Sequence, residues 1–348
     1  MTLSIHQSIS PSQIVTVAEL MFKHTPNAVP TFFGQGGIGK SQIAKQVADN
    51  LGCDEFIIIN PQFMDIVDFM GIPSITEIDG VPITTFSAPD FVQKIRKAKK
   101  PFVLIDEMTM AEESVLGLLM TLALDKRSGD HQLPKNLMIM MCANRECDGT
   151  VFNQIPSPLM DRLKPFTVEV SAQDVIDHAV SKSWHPEVVG YLRNFPDAIN
   201  RGWNVDLAKS ATPRGFDQLQ GLISKTDIPP SLELPIIQSY IGKSFADEFV
   251  AFRRIYRDLP DREEIYSNPS SATVVDRYDV NTALATMLSY FAEDKNIEAT
   301  VTYLKRLPKE FQIICIADIH KAKPQLTRSK AFVNWVTEGK NMELFTDA

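Results

Sequence analysis

The sequence predicts an α/β protein in its first half, with a parallel sheet flanked by helices, and an all-helical second half. Short apolar runs alternate with helical patterns up to about residue 170, and these runs are apolar on both faces, as in strands covered by helices on each side. After Ser171 the β pattern stops, and breaks such as Pro229-Pro230 separate helical segments. The predicted domains are 1–170, 171–228 and 229–348.

Five runs of aliphatic and aromatic residues predict the buried strands. They extend from Ala28 to Phe33, Glu55 to Ile59, Phe102 to Ile105, Leu137 to Met141 and Phe166 to Val170. Helical spacing predicts helices from Pro11, just after the capping residue Ser10, and over about 40–51, 89–99 and 112–124. Asp79-Gly80 and Ser128-Gly129-Asp130 predict two hairpin turns.

Composition excludes several classes of protein. The 348 residues are 44% hydrophobic and 22% charged, which is typical of a globular protein and excludes disorder over most of the chain. No run of 18 apolar residues predicts a membrane span, and the start MTLSIHQSIS does not resemble a secretory signal, so a cytoplasmic protein is expected. A net charge of -8 argues against general coating of nucleic acid.

The four cysteines are scattered along the chain, at Cys53, Cys142, Cys147 and Cys315. Reduced thiols are expected, as is usual in a cytosolic protein. Cys142 and Cys147 alone cannot form a zinc site, because no second Cys or His pair lies at ligand spacing.

A glycine-rich stretch after the first predicted strand matches G-x-x-x-x-G-K-[ST], the P-loop. It consists of Gly34, Gln35, Gly36, Gly37, Ile38, Gly39, Lys40 and Ser41. Its backbone N–H groups and the N-terminus of the following helix favour phosphate. Lys40 is expected to reach the β- and γ-phosphates of ATP, and Ser41 to bind Mg²⁺.

The same stretch also fits the dinucleotide-binding pattern G-x-G-x-x-G. That alternative requires an acidic residue at the tip of the second strand, about 20 residues further on. The second predicted strand ends at Ile59-Asn60 without one, and Lys40-Ser41 favours the P-loop.

Two further strand ends carry polar groups. Asp106 and Glu107 follow the buried run that ends at Ile105, which is the Walker B pattern. Asp106 is expected to hold Mg²⁺ through water, and Glu107 to act as general base toward the attacking water. Asn144 ends the run that begins at Leu137; if its strand lies between the other two, it can orient the water and the γ-phosphate.

The ordered series of P-loop, Asp-Glu and strand-end Asn resembles the AAA+ ATPases. The segments Pro158 to Leu163 and Ala211 to Gly215 resemble the arginine-finger and sensor 2 segments of that family, and together with the two hairpins they are similar to its MoxR branch. By this resemblance Arg162 acts in trans on a neighbouring subunit's ATP, and Arg214 contacts the nucleotide of its own subunit from a helical lid, residues 171–228.

The resemblance implies a hexameric ring that hydrolyses ATP with Mg²⁺ and remodels or activates a protein partner, such as one with a von Willebrand A domain. Residues 229–348 are expected to form a helical interaction domain. The sequence departs from the branch at Ala143-Asn144-Arg145 and at Leu163, and no aromatic-apolar-Gly pore loop follows the second strand. Phe63 and Phe69 are the nearest candidates, and core packing is expected for both.

Two other functions stay open at this point. A nucleic-acid motor or loader could use the basic run from Lys94 to Lys100, although a solvated helix end is the favoured interpretation of that run. A nucleotide-gated scaffold without turnover is disfavoured by Glu107. The sequence contains no Asn-Lys-x-Asp motif for recognising guanine, so a GTPase is disfavoured.

Overall fold

The computed structural model describes residues 8–146, 153–200, 211–338 and 341. The chain forms two compact units, residues 1–170 and residues 171–348. Among the helices of the described residues, none combines the length and the apolar character that a membrane crossing requires.

The N-terminal unit contains a six-stranded sheet and two short hairpins. Its strands are β1 (Ser8–Ile9), β2 (Val29–Gly34), β3 (Glu55–Ile59), β4 (Pro73–Ile78), β5 (Val81–Phe86), β6 (Pro101–Ile105), β7 (Arg127–Ser128), β8 (His131–Gln132), β9 (Met138–Ala143) and β10 (Leu163–Val168). The order in the large sheet is β1-β10-β2-β9-β6-β3, and every pair is parallel. The predicted parallel sheet is confirmed.

Helices cover both faces of this sheet. They are α1 (Pro11–His24), α2 (Lys40–Asn50), α3 (Ile66–Met70), α4 (Asp90–Lys97), α5 (Glu113–Asp125) and α6 (Ser157–Met160). Along β6, Phe102 and Leu104 belong to the core that α1 and α2 cover, whereas Val103 and Ile105 belong to the core with α4 and α5. This alternation is the two-residue period of a strand, and it explains why a strand buried on both faces is apolar throughout.

The structure extends the sequence prediction at the other end of the sheet. Strand β1, described from Ser8 to Ile9, was not predicted, and β10 begins three residues before the predicted Phe166. Residues 163–165 were not predicted as strand because Pro165 lacks the N–H that a strand with neighbours on both sides needs. Among the described residues, Pro165 pairs with Thr31 of β2 alone, which is a position where a proline is tolerated.

Both predicted hairpins are present. Asp79 and Gly80 join β4 to β5 with φ angles of 51° and 75°, and two positive φ angles are the signature of a type I′ turn. The hairpin of β7 and β8 holds the end of α3, since Ser128 Oγ donates to Phe69 O over 2.7 Å and His131 Nε2 lies 3.2 Å from Met70 O. These contacts satisfy carbonyls that the end of a short helix leaves without partners.

The C-terminal unit is helical throughout its described residues. Its helices are α7 (Ala172–Ser181), α8 (Pro186–Asn194), α9 (Asp197–Asn200), α10 (Pro213–Ile223), α11 (Pro230–Ile241), α12 (Lys243–Arg257), α13 (Arg262–Ser267), α14 (Tyr278–Phe291), α15 (Ile297–Leu304), α16 (Lys309–Ala322) and α17 (Lys330–Thr337). The further division at residue 228 stays a prediction.

A buried ion-pair network joins three of these helices. Arg253 of α12 donates to Glu187 of α8 over 2.7 Å and to Glu233 of α11 over 2.6 Å. All three side chains are less than a tenth exposed. Arg257 also reaches Glu233, over 2.7 Å, but is about half exposed. Burial raises the pKa of Glu187 despite the adjacent guanidinium, so the network depends on Arg253 to keep two buried carboxylates charged.

We expect Arg253→Ala to destabilise the C-terminal unit by about 3–5 kcal/mol, because it leaves two buried carboxylates without their cation. Arg257→Ala is the matched control and should cost less than about 1 kcal/mol, since its side chain is solvated. All three tryptophans of the chain lie beyond residue 170, so urea unfolding followed by tryptophan fluorescence reports on this unit. Equal costs for the two variants would contradict the assignment.

A second buried cation lies in the N-terminal unit. Lys126 follows α5 with a φ of 49°, is 6% exposed, and its Nζ has no hydrogen-bond partner among the described residues. Burial lowers the pKa of Lys126 to about 8. At neutral pH the folded protein therefore bears the cost of a desolvated ammonium.

Replacing Lys126 with Met should stabilise the N-terminal unit at pH 7 by on the order of 3 kcal/mol. Below about pH 8 the amine is charged in both states, so the folded state bears the full cost. Between pH 8 and the ordinary lysine pKa the folded state releases its proton first, so the advantage of Lys126→Met should shrink as pH rises toward 10.

The measurement is urea unfolding followed by circular dichroism, with tryptophan fluorescence identifying the transition of the other unit. Lys97→Met, at an exposed lysine of α4, is the control and should show no such pH-dependent difference. A difference that stays constant between pH 7 and pH 10 would show that the ammonium is not the source of the cost.

Candidate nucleotide-binding site

The P-loop connects β2 to α2 at the carboxyl edge of the sheet. Gly37 and Gly39 adopt φ angles of 81° and 88°, which only glycine adopts readily. Gly34 ends β2 in a tight space, because a Cβ built there would lie 2.8 Å from Ile38 Cδ1 and 3.1 Å from Val168 O. These glycines allow the backbone to turn sharply from the strand into the first turn of α2, as predicted.

Lys40, the first residue of α2, is 5% exposed and folds back over the loop. Its Nζ donates to Gly34 O over 2.6 Å, to Gln35 O over 3.1 Å and to Asn144 Oδ1 over 3.0 Å. Gly36 lies beside the same amide, since its Cβ position is 3.9 Å from Asn144 Oδ1. The loop therefore wraps around one positive charge.

Ser41 and Asp106 meet at the adjacent position. The Ser41 hydroxyl donates to Asp106 Oδ2, across the gap between the start of α2 and the end of β6. Asp106 is held in turn by backbone, as its N–H donates to Ile59 O over 2.9 Å and its Oδ1 accepts from Glu107 N–H over 3.1 Å. A hydroxyl and a carboxylate at one point are the hard oxygen ligands that Mg²⁺ prefers, so these two residues fit a magnesium ion.

Glu107 leaves β6 in a left-handed backbone conformation, with a φ of 56°. Such a conformation is uncommon for a residue other than glycine and is often found where a side chain must point in a particular direction. Here the carboxylate accepts a hydrogen bond from Asn144 Nδ2 over 2.6 Å. The strained turn therefore directs Glu107 toward the P-loop side of the sheet.

Asn144 connects these parts of the site. Strand β9 lies between β2 and β6, as the sequence analysis required, and Asn144 follows its last residue. The side chain is 5% exposed; it accepts from Lys40 with its oxygen and donates to Glu107 with its nitrogen. A single amide thus fixes the lysine and the carboxylate relative to each other.

Cys142 lies in β9 two residues before Asn144 and is fully buried. Burial, and then the charge of Asp106, raises the pKa of the Cys142 thiol well above its ordinary range. A thiol that stays protonated packs as a small apolar group beneath the site and is not a nucleophile. Cys53 and Cys315 are free thiols, and Cys147 lies outside the described residues.

The two arginines are placed differently from the other predicted residues. Arg162 is exposed and follows α6 directly before β10, and its N–H donates to Leu159 O over 3.0 Å. Arg214 is exposed in the first turn of α10, which Thr212 caps through its Oγ1 and Gly215 N–H. Neither guanidinium forms a hydrogen bond or an ion pair with the described residues. Arg162 is therefore not part of the hydrogen-bonded cluster around Asn144.

One contact to the Walker B turn was not predicted. Asn153 donates its backbone N–H to Thr109 O over 2.7 Å and its Nδ2 to Ala111 O over 2.9 Å. It thereby fixes the turn that follows Glu107. Asparagine in a loop has no distinctive spacing from Asp106, so no sequence signal pointed to it.

The expectation for the two phenylalanines after β3 holds for one of them. Phe69 is fully buried, and its ring packs edge-on against that of Phe91, 5.9 Å away. Phe63 is 80% exposed, so the expectation of core packing was wrong there. In the turn Pro61–Phe63 the proline is buried, and the phenylalanine ring lies on the surface.

Comparison with known proteins agrees with this geometry. Residues 31–162 match the family model described as "AAA domain (dynein-related subfamily)". The chain is 22% identical over 228 residues to the chaperone protein ClpB of Malacoplasma penetrans, covering 63% of this chain and 29% of that protein. It is 27% identical over 153 residues to ClpB of Clostridium tetani, covering 38% and 17%. The chain thus spans less than a third of the curated relatives it matches.

Similarity to solved structures is lower. A RuvB variant of Thermotoga maritima is 11% identical, with 71% of this chain and 74% of that chain covered and a TM-score of 0.40. The topology and the family match, both of which rest on residues of the N-terminal unit, therefore carry the assignment of the fold.

Proposed function

We propose that this chain, whose residues 31–162 match an AAA domain, is an AAA+ ATPase that binds Mg-ATP at its P-loop and hydrolyses it. The observation that carries the proposal is the hydrogen-bonded series from Lys40 through Asn144 to Glu107, beside the pair of Ser41 and Asp106. An ammonium, an amide and a carboxylate thus meet at one edge of the sheet, which supports roles for them in binding phosphate, orienting water and accepting a proton.

The loop and Lys40 provide the phosphate site. Backbone N–H groups of residues 34–41 and the N-terminus of α2 favour anions. The Lys40 ammonium rests on two backbone carbonyls and one amide, and it can exchange these neutral acceptors for charged phosphate oxygens, which form stronger hydrogen bonds. Ser41 and Asp106 hold Mg²⁺, which when bound supplies positive charge to the β- and γ-phosphate oxygens.

Glu107 provides the base for attack by water. Its carboxylate can accept a proton as the water oxygen attacks the γ-phosphorus in line with the leaving oxygen. Asn144 donates to one carboxylate oxygen and so fixes the direction in which Glu107 faces the water. Because the same amide also contacts Lys40, one rigid group sets the distance between the Glu107 carboxylate and the ammonium that binds phosphate.

We further propose that the chain works as a ring of about six copies, in which Arg162 completes the neighbouring subunit's site and Arg214 senses the nucleotide of its own subunit. Both guanidinium groups are exposed and without partners among the described residues, as groups that act on a ligand require. The positive charge of Arg162 would neutralise charge on the γ-phosphoryl oxygens during transfer.

The work of such a ring is proposed to be the remodelling or activation of a protein partner in the cytoplasm, as in the MoxR branch, with a von Willebrand A domain protein as one candidate. The names of two relatives, chaperone protein ClpB, are in keeping with action on proteins. A nucleic-acid motor finds less support in the basic run. Lys94 pairs with Asp90 over 2.7 Å, and Arg96 Nε donates to Gln132 O over 3.1 Å, so part of the run is engaged within the protein.

We expect Glu107→Gln to bind ATP with unchanged affinity and to lower the hydrolysis rate by about 10²–10⁴, which is the usual contribution of a general base. Binding is measured with a fluorescent ATP analogue, and turnover by phosphate release. Glu112→Gln, an exposed acid five residues further on, is the matched control and should leave turnover unchanged. Full turnover in Glu107→Gln would remove Glu107 from the reaction.

The trans role of Arg162 can be tested by mixing two inactive variants. Arg162→Ala should bind ATP yet lose about 10³ or more in turnover, whereas Arg328→Ala, at another exposed arginine, should not. In mixed rings, an Arg162→Ala subunit keeps its own Glu107 and receives Arg162 from a Glu107→Gln neighbour. Activity should therefore return on mixing, with a particle mass near six copies in Mg-ATP; no recovery in mixed rings of confirmed composition would contradict action in trans.

A further inference from the structure

An apolar surface is exposed between β3 and α4. It extends from Pro61 to Phe86 and comprises the turn Pro61–Phe63, helix α3 and the β4–β5 hairpin; we name it the acidic insert for the charges described below. Of the fourteen large apolar side chains that are exposed in the described residues, seven lie here. They are Phe63, Ile66, Val67, Ile72, Ile75, Val81 and Ile83. Such a concentration in one short segment indicates an interaction site.

The hairpin of the acidic insert lacks a covering layer. Residues 73–77 and 81–84 are all exposed, although side chains of successive residues point to opposite faces, so both faces of the hairpin are open. Its anchor is at the base, where Ser87 N–H donates to Ile72 O over 2.9 Å. A two-stranded hairpin by itself is marginally stable in water, and its strand edges offer backbone groups for pairing.

The charge of this surface has one sign. Between Lys45 and Lys94 the sequence contains eight Asp and Glu residues and no Lys, Arg or His. Four of the acids belong to the acidic insert and are exposed, namely Asp65, Asp68, Glu77 and Asp79. None of the four forms an ion pair with the described residues. The surface therefore combines apolar side chains with unneutralised negative charge.

The acidic insert is connected to the nucleotide site through two neighbouring turns. Asp106 N–H donates to Ile59 O at the end of β3, and the turn Pro61–Phe63 follows directly. That turn packs against Met108–Met110, the turn after Glu107. A change at Glu107 can therefore reach Phe63 through two adjacent turns of backbone.

We infer that the acidic insert binds an extended polypeptide segment of the protein partner in which basic and apolar side chains alternate. Extended backbone can pair with a free strand of the hairpin. Its basic side chains can then neutralise Glu77 and, at the tip, Asp79, while its apolar side chains contact Ile83 on the opposite face, or Phe63. This inference rests on the proposed function, because the existence of a protein partner is part of that proposal. Nucleic acid and anionic membranes carry the same sign of charge as the surface, so they are disfavoured.

The probe is a fluorescein-labelled 14-residue peptide in which Lys alternates with Val or Ile, added to the full-length chain with Mg-ATP. Two comparison peptides replace either every Lys with Glu or every apolar residue with Ser. We expect the basic apolar peptide to bind at least tenfold more tightly than either one, by fluorescence anisotropy, and to weaken as salt is raised. Equal binding of the Glu peptide would overturn the inference.

Two pairs of substitutions locate the binding. Glu77→Lys with Asp79→Lys reverses charge at the hairpin tip, and Phe63→Ser with Ile83→Thr removes exposed apolar groups; each pair should weaken binding at least tenfold. The matched controls are Asp227→Lys and Leu232→Ser, exposed residues of the C-terminal unit, and they should leave binding unchanged. Binding that survives both insert pairs would overturn the inference.

Basal ATP hydrolysis by the variant Glu77→Lys with Asp79→Lys tests peptide binding and the proposed ATPase function separately, because Glu77 and Asp79 take no part in the proposed reaction. A protein that hydrolyses ATP but binds none of the peptides would overturn the inference alone. Peptide binding with no ATPase activity would overturn the proposed function alone. Self-association that Phe63→Ser with Ile83→Thr abolishes would assign the surface to a second copy of the chain and would also overturn the inference.

Discussion

The parallel pairing of β2, β9 and β6 is the constraint on which the site depends. Parallel strands end at the same edge of a sheet, so residues that follow them meet even though they are about 40 to 100 positions apart in sequence. Phe33 pairs with Ala143, and Ile105 pairs with Met141. This register places the amide of Asn144 between the P-loop and the Walker B turn, and a slip by one residue would turn that side chain to the other face.

The buried amide of Asn144 then determines what the site can tolerate. It is both acceptor and donor, so each neighbour must have the complementary role, and Lys40 and Glu107 have those roles. An aspartate at 144 could not donate to a carboxylate, and a leucine would leave a buried ammonium with one acceptor fewer. The departure from the MoxR pattern at Ala143-Asn144-Arg145 leaves this amide in place, so the part of the motif that the geometry uses is retained.

Much of this arrangement could be predicted because it depends on local patterns. The glycines of the P-loop meet backbone requirements that no other residue meets as readily, and the Asp79-Gly80 turn has φ angles that its residue types favour. The strand β3 was predicted with its observed bounds, from Glu55 to Ile59, because its apolar run is bordered by polar residues. In each case the chemistry of a few adjacent residues is sufficient.

What could not be predicted depends on contacts between distant segments. The burial of Lys126 without a partner, the network around Arg253 and the contact of Asn153 with the Walker B turn leave no mark in local spacing. Phe63 illustrates the same limit, since an aromatic residue after a strand is usually buried and only the turn Pro61–Phe63 decides otherwise.

The stability of a fold does not explain why seven large apolar side chains remain exposed in one short segment. Burying a side chain such as that of Ile75 contributes roughly 1.5–3 kcal/mol, so leaving it in water forgoes a stabilisation that the sheet and its helices use elsewhere. The N-terminal unit also bears a strained residue at Glu107 and a buried ammonium at Lys126. Two of these costs lie in adjacent turns, because the turn Pro61–Phe63 packs against the turn after Glu107, whereas Lys126 lies at the far end of α5. A strained carboxylate beside exposed apolar side chains is what a site that couples nucleotide to a partner would require, since a change at one turn can then reach the other.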